Sequence, residues 1–202
     1  MYIDPIKLYL LCLLLGYLLG NIQFAVLFSR LLYHDDVRAH GSGNAGSTNM
    51  LRVFGVGSGI LTFAGDFLKG VAAVLVGRSL GGDHAACAMA LGVVLGHDFP
   101  ALLKFHGGKG VASTMGVLWA FHPLFGAIVT VVGVGLAAYS RMISLGSMAG
   151  ALLLLVLMLI WGADSWQRWL AVALCLLLFI RHAENIVRIK NGTEGRITFH
   201  KK

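Results

Sequence analysis

From Leu8 to Leu27 the chain runs for 20 residues without a charged side chain. A helix needs roughly 20 apolar residues to cross a hydrocarbon core, and no other feature limits the fold as much. In hydrocarbon every backbone N–H and C=O must be paired within the protein, so repeated runs of this kind mean helices. Apolar segments fall at about 7–28, 53–76, 85–103, 110–121, 124–139, 144–161 and 167–187. The composition agrees, with 57% of the 202 residues hydrophobic and only 12% charged, about half the charged share of an average soluble domain. The chain is expected to be an all-α polytopic membrane protein of about seven transmembrane helices, forming a single domain over residues 1–202. The first run is too long for the apolar part of a signal peptide and has no small-residue cleavage site after it, so it reads as a retained helix. The fourth segment has 12 residues and extends only about 18 Å as a helix. It reads as a short helix in a thinned region or as half of a re-entrant pair.

The charges set the expected sidedness. With seven crossings and the N-terminus outside, twelve Lys and Arg fall on the cytoplasmic side, including Arg30, Arg38, Arg52, Lys104, Lys109, Arg141, Lys201 and Lys202. The outer side holds Lys7, Arg78 and Arg168, and Lys69 lies within a span. This asymmetry points to an outside N-terminus and a cytoplasmic C-terminus. It also explains the net charge of +7 without nucleic acid as a partner. Trp161, Trp166 and Trp169 bracket one outer turn, as an interfacial aromatic belt does. Cys12, Cys87 and Cys175 lie in apolar runs at no metal-like spacing and read as buried packing residues.

Four polar segments, GSGNAGSTNMLR, FHGGKG, SRMIS and RHAEN, then fall on the cytoplasmic side and suggest one shared site. Residues 41–46, GSGNAG, fit the dinucleotide pattern G-x-G-x-x-G, and Asp66 lies 20 positions past Gly46. A dinucleotide loop must follow an apolar strand. What precedes Gly41 is the polar YHDDVRAH, and no alternating strand–helix pattern exists in the chain. The loop nonetheless has the features of an anion site. Gly41 and Gly43 allow backbone N–H groups to converge, and a helix starting near Ser47 adds its positive end. Ser42, Asn44, Thr48 and Asn49 offer uncharged polar groups, and Arg52 a bidentate fork. A flexible loop with a Ser/Thr helix cap is the plainer alternative.

FHGGKG is not a P-loop, because Leu103 and Gly110 stand where that motif needs Gly and Ser or Thr. Gly107 and Gly108 before Lys109 read either as an oxyanion clamp or as a tight turn carrying a cytoplasmic lysine. In RHAEN, Arg181, Glu184 and Asn185 share a face on a continuous helix, with His182 beside it. The alternative is an interfacial helix end with snorkelling charges. Asp66 and Lys69 are ionisable residues three apart within a span, serving either function or a local ion pair. His97 and Asp98 lie near the cytoplasmic end of the third segment as support for the site. The chain has nine carboxylates and no HExxH, so neither a catalytic metal nor another cofactor is expected.

GSGNAGSTN, DFLKG, GHDFP with FHGGKGVAST, and RHAEN together resemble the signature segments of the bacterial membrane acyl-phosphate:glycerol-3-phosphate acyltransferases of the PlsY type. The likeness runs in order from Gly41 to Asn185. It implies a seven-helix enzyme of the bacterial inner membrane that moves a fatty acyl group from acyl phosphate to glycerol 3-phosphate, giving lysophosphatidic acid and inorganic phosphate in the first step of phospholipid synthesis. The family's phosphate-contacting positions fall on Ser42, Asn44, Thr48, Arg52, Lys109, Ser144, His182 and Asn185. His106 and Ala183 depart from the family's common Lys and Arg. None of the eight His has Asp five positions later, so the thioester-dependent acyltransferase motif is absent, and no nucleophile elbow is present. Lys109, His182, Asn185 and Ser42 are the expected catalytic groups. They are expected to act by positioning and charge stabilisation without an acyl-enzyme. A transporter of phosphate or a small organic anion is the rival class. It also uses basic loops and broken helices, but places its site at the midplane between repeats, and no repeat is visible.

Overall fold

The structure is a computed structural model that describes residues 4–161 and 164–196. Lys201 and Lys202 of the charge count lie outside these. All regular structure among the described residues is helical. The chain divides into two compact units, Met1–Phe121 and His122–Lys202.

The first unit opens with α1 (Pro5–Gly20). Asp4 caps it by accepting the Ile6 N–H at 2.8 Å, and Pro5 takes the first position, where a missing N–H costs nothing. The first apolar segment does not continue as one helix. It breaks after Gly20 and resumes as α2 (Phe24–Tyr33). A short 3₁₀ turn at Val37–Ala39 leads into α3 (Ser47–Phe54). The second and third apolar segments are two arms of α4 (Val56–Asp98), which is interrupted at Gly81 and Gly82; Gly82 has φ 72°, which only glycine adopts readily. α5 (Val111–Phe121), the fourth segment, is 11 residues long, or about 16 Å.

α1 and α4 pack through glycines spaced four apart on both helices. A Cβ on Gly16 or Gly20 falls 2.2 or 2.3 Å from the carbonyl oxygen of Met89 or Val93. On Gly92 or Gly96 it falls 2.2 or 2.1 Å from that of Leu13 or Tyr17. In hydrocarbon, helices gain little from apolar contact itself, so small residues that let backbones touch carry the association.

The second unit holds α6 (Pro123–Ser140), α7 (Ile143–Trp161), α8 (Ser165–Arg181) and α9 (Ala183–Lys190). α6 and α7 repeat the close approach, with Gly146 set against the Gly133 carbonyl. α8 and α9 are bent by 56° at His182.

Among the described residues, four helical stretches, Pro5–Tyr33, Val56–Leu103, Pro123–Ser140 and Ile143–Trp161, are long and apolar enough to cross a membrane, or five if the bent α8–α9 pair is one span. Large apolar side chains remain exposed along them, such as Leu10, Leu68, Val131 and Leu176, as lipid-facing surfaces require. Trp161, Trp166 and Trp169 are exposed, and the three cysteines are buried and free.

Gly92→Leu should lower the stability of the detergent-solubilised protein by about 1–3 kcal/mol or more, read as a fall in Tm. Gly57→Ala, where a Cβ meets nothing within 4 Å, should leave Tm unchanged or slightly raised.

Candidate active site

Gly41 (φ 59°) and Gly43 (φ 70°) turn the GSGNAG loop back on itself. Three of its N–H groups are used in doing so. Ser42 N–H donates to Asn49 Oδ1 at 2.9 Å, Gly43 N–H to the His40 carbonyl, and Gly46 N–H to the Asn44 carbonyl. An anion would therefore have to meet other N–H groups of the loop than those of Ser42, Gly43 and Gly46. Asn49 also has a different role from the one expected. It is buried, and its Nδ2 donates to the carbonyls of Val37 and His40, so it braces the loop from within. The helix does begin at Ser47, but its cap is Gly46 with no side-chain bond. The anion-binding features that survive are the α3 N-terminus, the Ser42, Asn44 and Thr48 side chains, and Arg52 one turn along.

Below this loop, Asp36 binds Arg38 at 2.7 Å and Arg30 at 2.9 Å. The Arg38 hydrogen bond, opposed by burial, holds the Asp36 carboxyl far below the usual carboxylate range.

The GGKG loop rests on the end of α4. Gly108 N–H donates to the His97 carbonyl at 3.0 Å. A Cβ on Gly107 lies 2.0 Å from that carbonyl oxygen, and one on Gly108 lies 2.0 Å from His97 Nε2. The double glycine is thus required by contact with His97. Gly110, with φ 68°, ends the loop before α5 starts at Val111.

His97 is itself fixed by buried charge. Lys69 Nζ lies 2.7 Å from Asp66 Oδ1, 2.8 Å from His97 Nδ1 and 2.8 Å from the Ile22 carbonyl. Lysine has no acceptor to offer its neighbours when charged, so His97 Nδ1 accepts and the ring proton sits on Nε2, the atom beside Gly108. Gln23 Nε2 adds donors to the carbonyls of His97 and Gly20, at 3.0 and 3.1 Å. Asp66 and Lys69 are therefore the local ion pair of the two readings, and they support the lysine loop through His97.

In the second unit, the expected single face of RHAEN does not form, because the helix breaks at His182 (φ −100°, ψ 8°). Arg181 ends α8, whereas Glu184 and Asn185 belong to α9. The Glu184 side chain is exposed and pairs with Arg188 at 3.3 Å. His182 and Asn185 are buried. His182 Nδ1 sits 2.8 Å from the Leu178 carbonyl, an acceptor, so Nδ1 carries the ring proton.

Ser144 and Asn185 meet at a residue the sequence did not single out, Glu194. Ser144 Oγ donates to Glu194 Oε1 at 2.7 Å, Asn185 Nδ2 to the same oxygen at 2.6 Å, and Arg188 Nε to Oε2 at 2.9 Å. Burial acts to raise the Glu194 carboxyl, but these hydrogen bonds outweigh it and hold it below the ordinary glutamate value. Among the described residues, no group of three His, Cys, Asp or Glu is arranged to hold a metal.

Two outcomes follow. Lys69→Met should cost about 3–5 kcal/mol, because Asp66 is left buried without its partner. Adding Asp66→Asn should recover part of that loss in thermal unfolding. A carboxyl depressed in the folded state contributes stability above its unfolded pKa and loses it as pH falls. Protection of residues 191–196 against hydrogen exchange should therefore hold from neutral pH to about pH 5 and drop as the pH falls below about 4.

The family described as glycerol-3-phosphate acyltransferase matches residues 10–192. The chain is 39% identical over 184 residues to the glycerol-3-phosphate acyltransferase of Thermoanaerobacter sp. (strain X514), covering 91% of this chain and 93% of that one. It is 43% identical over 194 residues to that of Rhodopseudomonas palustris (strain HaA2), covering 95% and 97%. The crystal structure of PlsY (YgiH), an integral membrane glycerol 3-phosphate acyltransferase, in its glycerol 3-phosphate form superposes with a TM-score of 0.89 at 33% identity over 94% of this chain and 96% of that one. The lysophosphatidic acid form gives 0.86 at 32% identity, covering 94% and 95%. The match spans both units, and the chain belongs to the integral membrane glycerol-3-phosphate acyltransferase family.

Proposed function

We propose that the chain transfers a fatty acyl group from acyl phosphate to the primary hydroxyl of glycerol 3-phosphate, releasing lysophosphatidic acid and inorganic phosphate. The observation that carries the reading is the near-complete likeness to a glycerol 3-phosphate form at TM-score 0.89, combined with Lys109 on a loop whose two glycines seat it on His97. The reaction takes place at the cytoplasmic face of the bacterial inner membrane, with seven crossings, the N-terminus outside and the C-terminus inside. Arg30, Arg38 and Arg52 around the GSGNAG loop, and Lys104 and Lys109 at the GGKG loop, favour that face.

Both substrates carry phosphate. Arg52 and Lys109 supply its positive charge, and Ser42, Asn44 and Thr48 its neutral hydrogen bonds. Gly41, Gly43, Gly107 and Gly108 shape the two loops, and Asn49 braces the first from within. Ser144, His182 and Asn185 contact substrate in the second unit, with Glu184 beside them on α9.

Acyl phosphate is a mixed anhydride and needs no further activation. The hydroxyl oxygen attacks the carbonyl carbon, the bond from that carbon to the bridging oxygen breaks, and phosphate leaves. A phosphate oxygen of the donor accepts the hydroxyl proton, so no acyl-enzyme forms. Lys109 and Ser42 stabilise the charge that gathers on the phosphate. His182 and Asn185 orient the attacking alcohol.

Purified protein given acyl phosphate and labelled glycerol 3-phosphate should form labelled lysophosphatidic acid. Lys109→Ala should reduce the rate by at least about a hundredfold while the protein still purifies folded. Absence of lipid product together with anion flux in liposomes would establish a transporter instead. Loss of the chemical step alone in His182→Ala, with both substrates still bound, would replace the substrate-assisted step by a protein base.

A further inference from the structure

Three donors within the second unit converge on the Glu194 carboxylate. Ser144 Oγ, in the first turn of α7, and Asn185 Nδ2, on α9, lie 2.7 and 2.6 Å from Oε1. Arg188 Nε lies 2.9 Å from Oε2. A hydroxyl, an amide and a guanidinium around one anion suit a phosphate as well as a carboxylate, since both offer a pair of accepting oxygens. The Glu194 side chain is 9% exposed and ionised beside Arg188, so it accepts from all three. Ser144 has one hydroxyl hydrogen, and Glu194 takes it. A phosphate oxygen is an acceptor too. It gains the Ser144 hydrogen only when the carboxylate gives it up, so the two anions exclude one another there.

The way Glu194 reaches these donors leaves it able to go. α9 ends in a left-handed glycine cap. Gly192, with φ 68°, donates its N–H to the Ile189 carbonyl at 3.1 Å, and Thr193 donates to the Arg188 carbonyl at 2.8 Å. The cap completes the helix end without Glu194. Among the described residues, the backbone hydrogen bonds of the tail end with Thr193, and Glu194 is then held through its carboxylate. Trading that carboxylate for a phosphate breaks neither α9 nor its cap.

We propose that Ser144, Asn185 and Arg188 are the donors of a phosphate site in the second unit, and that the Glu194 carboxylate fills this site as an internal stand-in which substrate phosphate displaces. The assignment rests on the acyl-transfer reading above, which puts Ser144 and Asn185 at the substrate, and it adds Arg188 as a further phosphate-binding residue. Glu194 keeps the three donors converged, so phosphate enters a preformed set. It also lowers the apparent affinity, because only the fraction of molecules with the tail released can bind.

A protease that cleaves after glutamate reads the displacement in the whole detergent-solubilised protein. The chain has two glutamates, Glu184 within α9 and Glu194 in the tail. Two ligands are tried separately: glycerol 3-phosphate, and an acyl phosphonate, which resembles the donor and cannot transfer its chain. One of them should speed cleavage after Glu194 severalfold, and the one that does so carries the phosphate that the site takes. Glu194→Gln still accepts from Ser144 and Asn185 but loses its charge against Arg188. It should tighten binding of that ligand roughly tenfold, the worth of a charge-assisted hydrogen bond. Arg188→Gln added to Glu194→Gln should weaken binding again.

Cleavage after Glu194 that neither ligand speeds, or that either one slows, would overturn the proposal. So would unchanged or weaker binding in Glu194→Gln, the mark of a merely structural role. Binding that does not weaken when Arg188→Gln is added would overturn the part given to Arg188. If Glu194→Gln does not fold, cleavage of the wild-type protein decides the question. A wild-type protein that forms no lysophosphatidic acid, while a ligand still frees Glu194, would refute the acyl-transfer reading and leave a phosphate site. Product formation with Glu194 held fast would refute this inference alone.

Discussion

One buried ammonium ties the first unit together. Lys69 has three hydrogens and finds three close acceptors: Asp66 on its own arm of α4, the Ile22 carbonyl in the break between α1 and α2, and His97 at the far end of α4. It thereby holds both arms of α4 across the interruption at Gly82, and it pins the point where the first apolar segment stops being a helix. A charge in this setting is tolerable only when every hydrogen is used. Those bonds fix the His97 ring and carbonyl, and on these the GGKG loop sits. The seat of the Lys109 loop is thus set some distance from Lys109, by the contacts of Lys69 with His97.

The second unit solves the same problem with the opposite sign. Glu194 is a nearly buried carboxylate, and Ser144, Asn185 and Arg188 converge on it from α7, α9 and the turn of α9 that follows. In both units the charged group is held by hydrogen bonds that leave little freedom, and the side chains expected at the substrate are oriented by it. Pre-organised groups lose less on binding and stabilise developing charge without rearranging.

The helices were legible because span length is a matter of composition: every apolar segment beyond residue 50 is found as a helix or an arm of one. The break after Gly20 was not, because Asn21 and Gln23 are polar without being charged and Gly20 reads as an ordinary small residue. Its need is set by Val93, 73 positions away. The glycine loops were legible as glycine-rich, but not the groups that their glycines pack against. Gly107 and Gly108 exist to let a loop touch His97, a contact no local pattern reveals. The bend at His182 carries neither proline nor glycine, so RHAEN looked like one helical face. Glu194 stood in a polar tail with no partner in sight, and only the fold brings Ser144 to it, 50 residues away in the chain. The site residues named from their motifs were legible as residue types, but the direction of their hydrogen bonds was not.

In the proposed reaction an acyl group passes directly from a phosphate donor to an alcohol, with the protein supplying position and charge. Rapid-quench analysis of purified protein mixed with acyl-labelled acyl phosphate tests it most directly. The label should stay in the donor until glycerol 3-phosphate is added, then appear in lysophosphatidic acid one-for-one with released phosphate. A burst of phosphate before the acceptor is present, with label bound to the protein, would contradict the account.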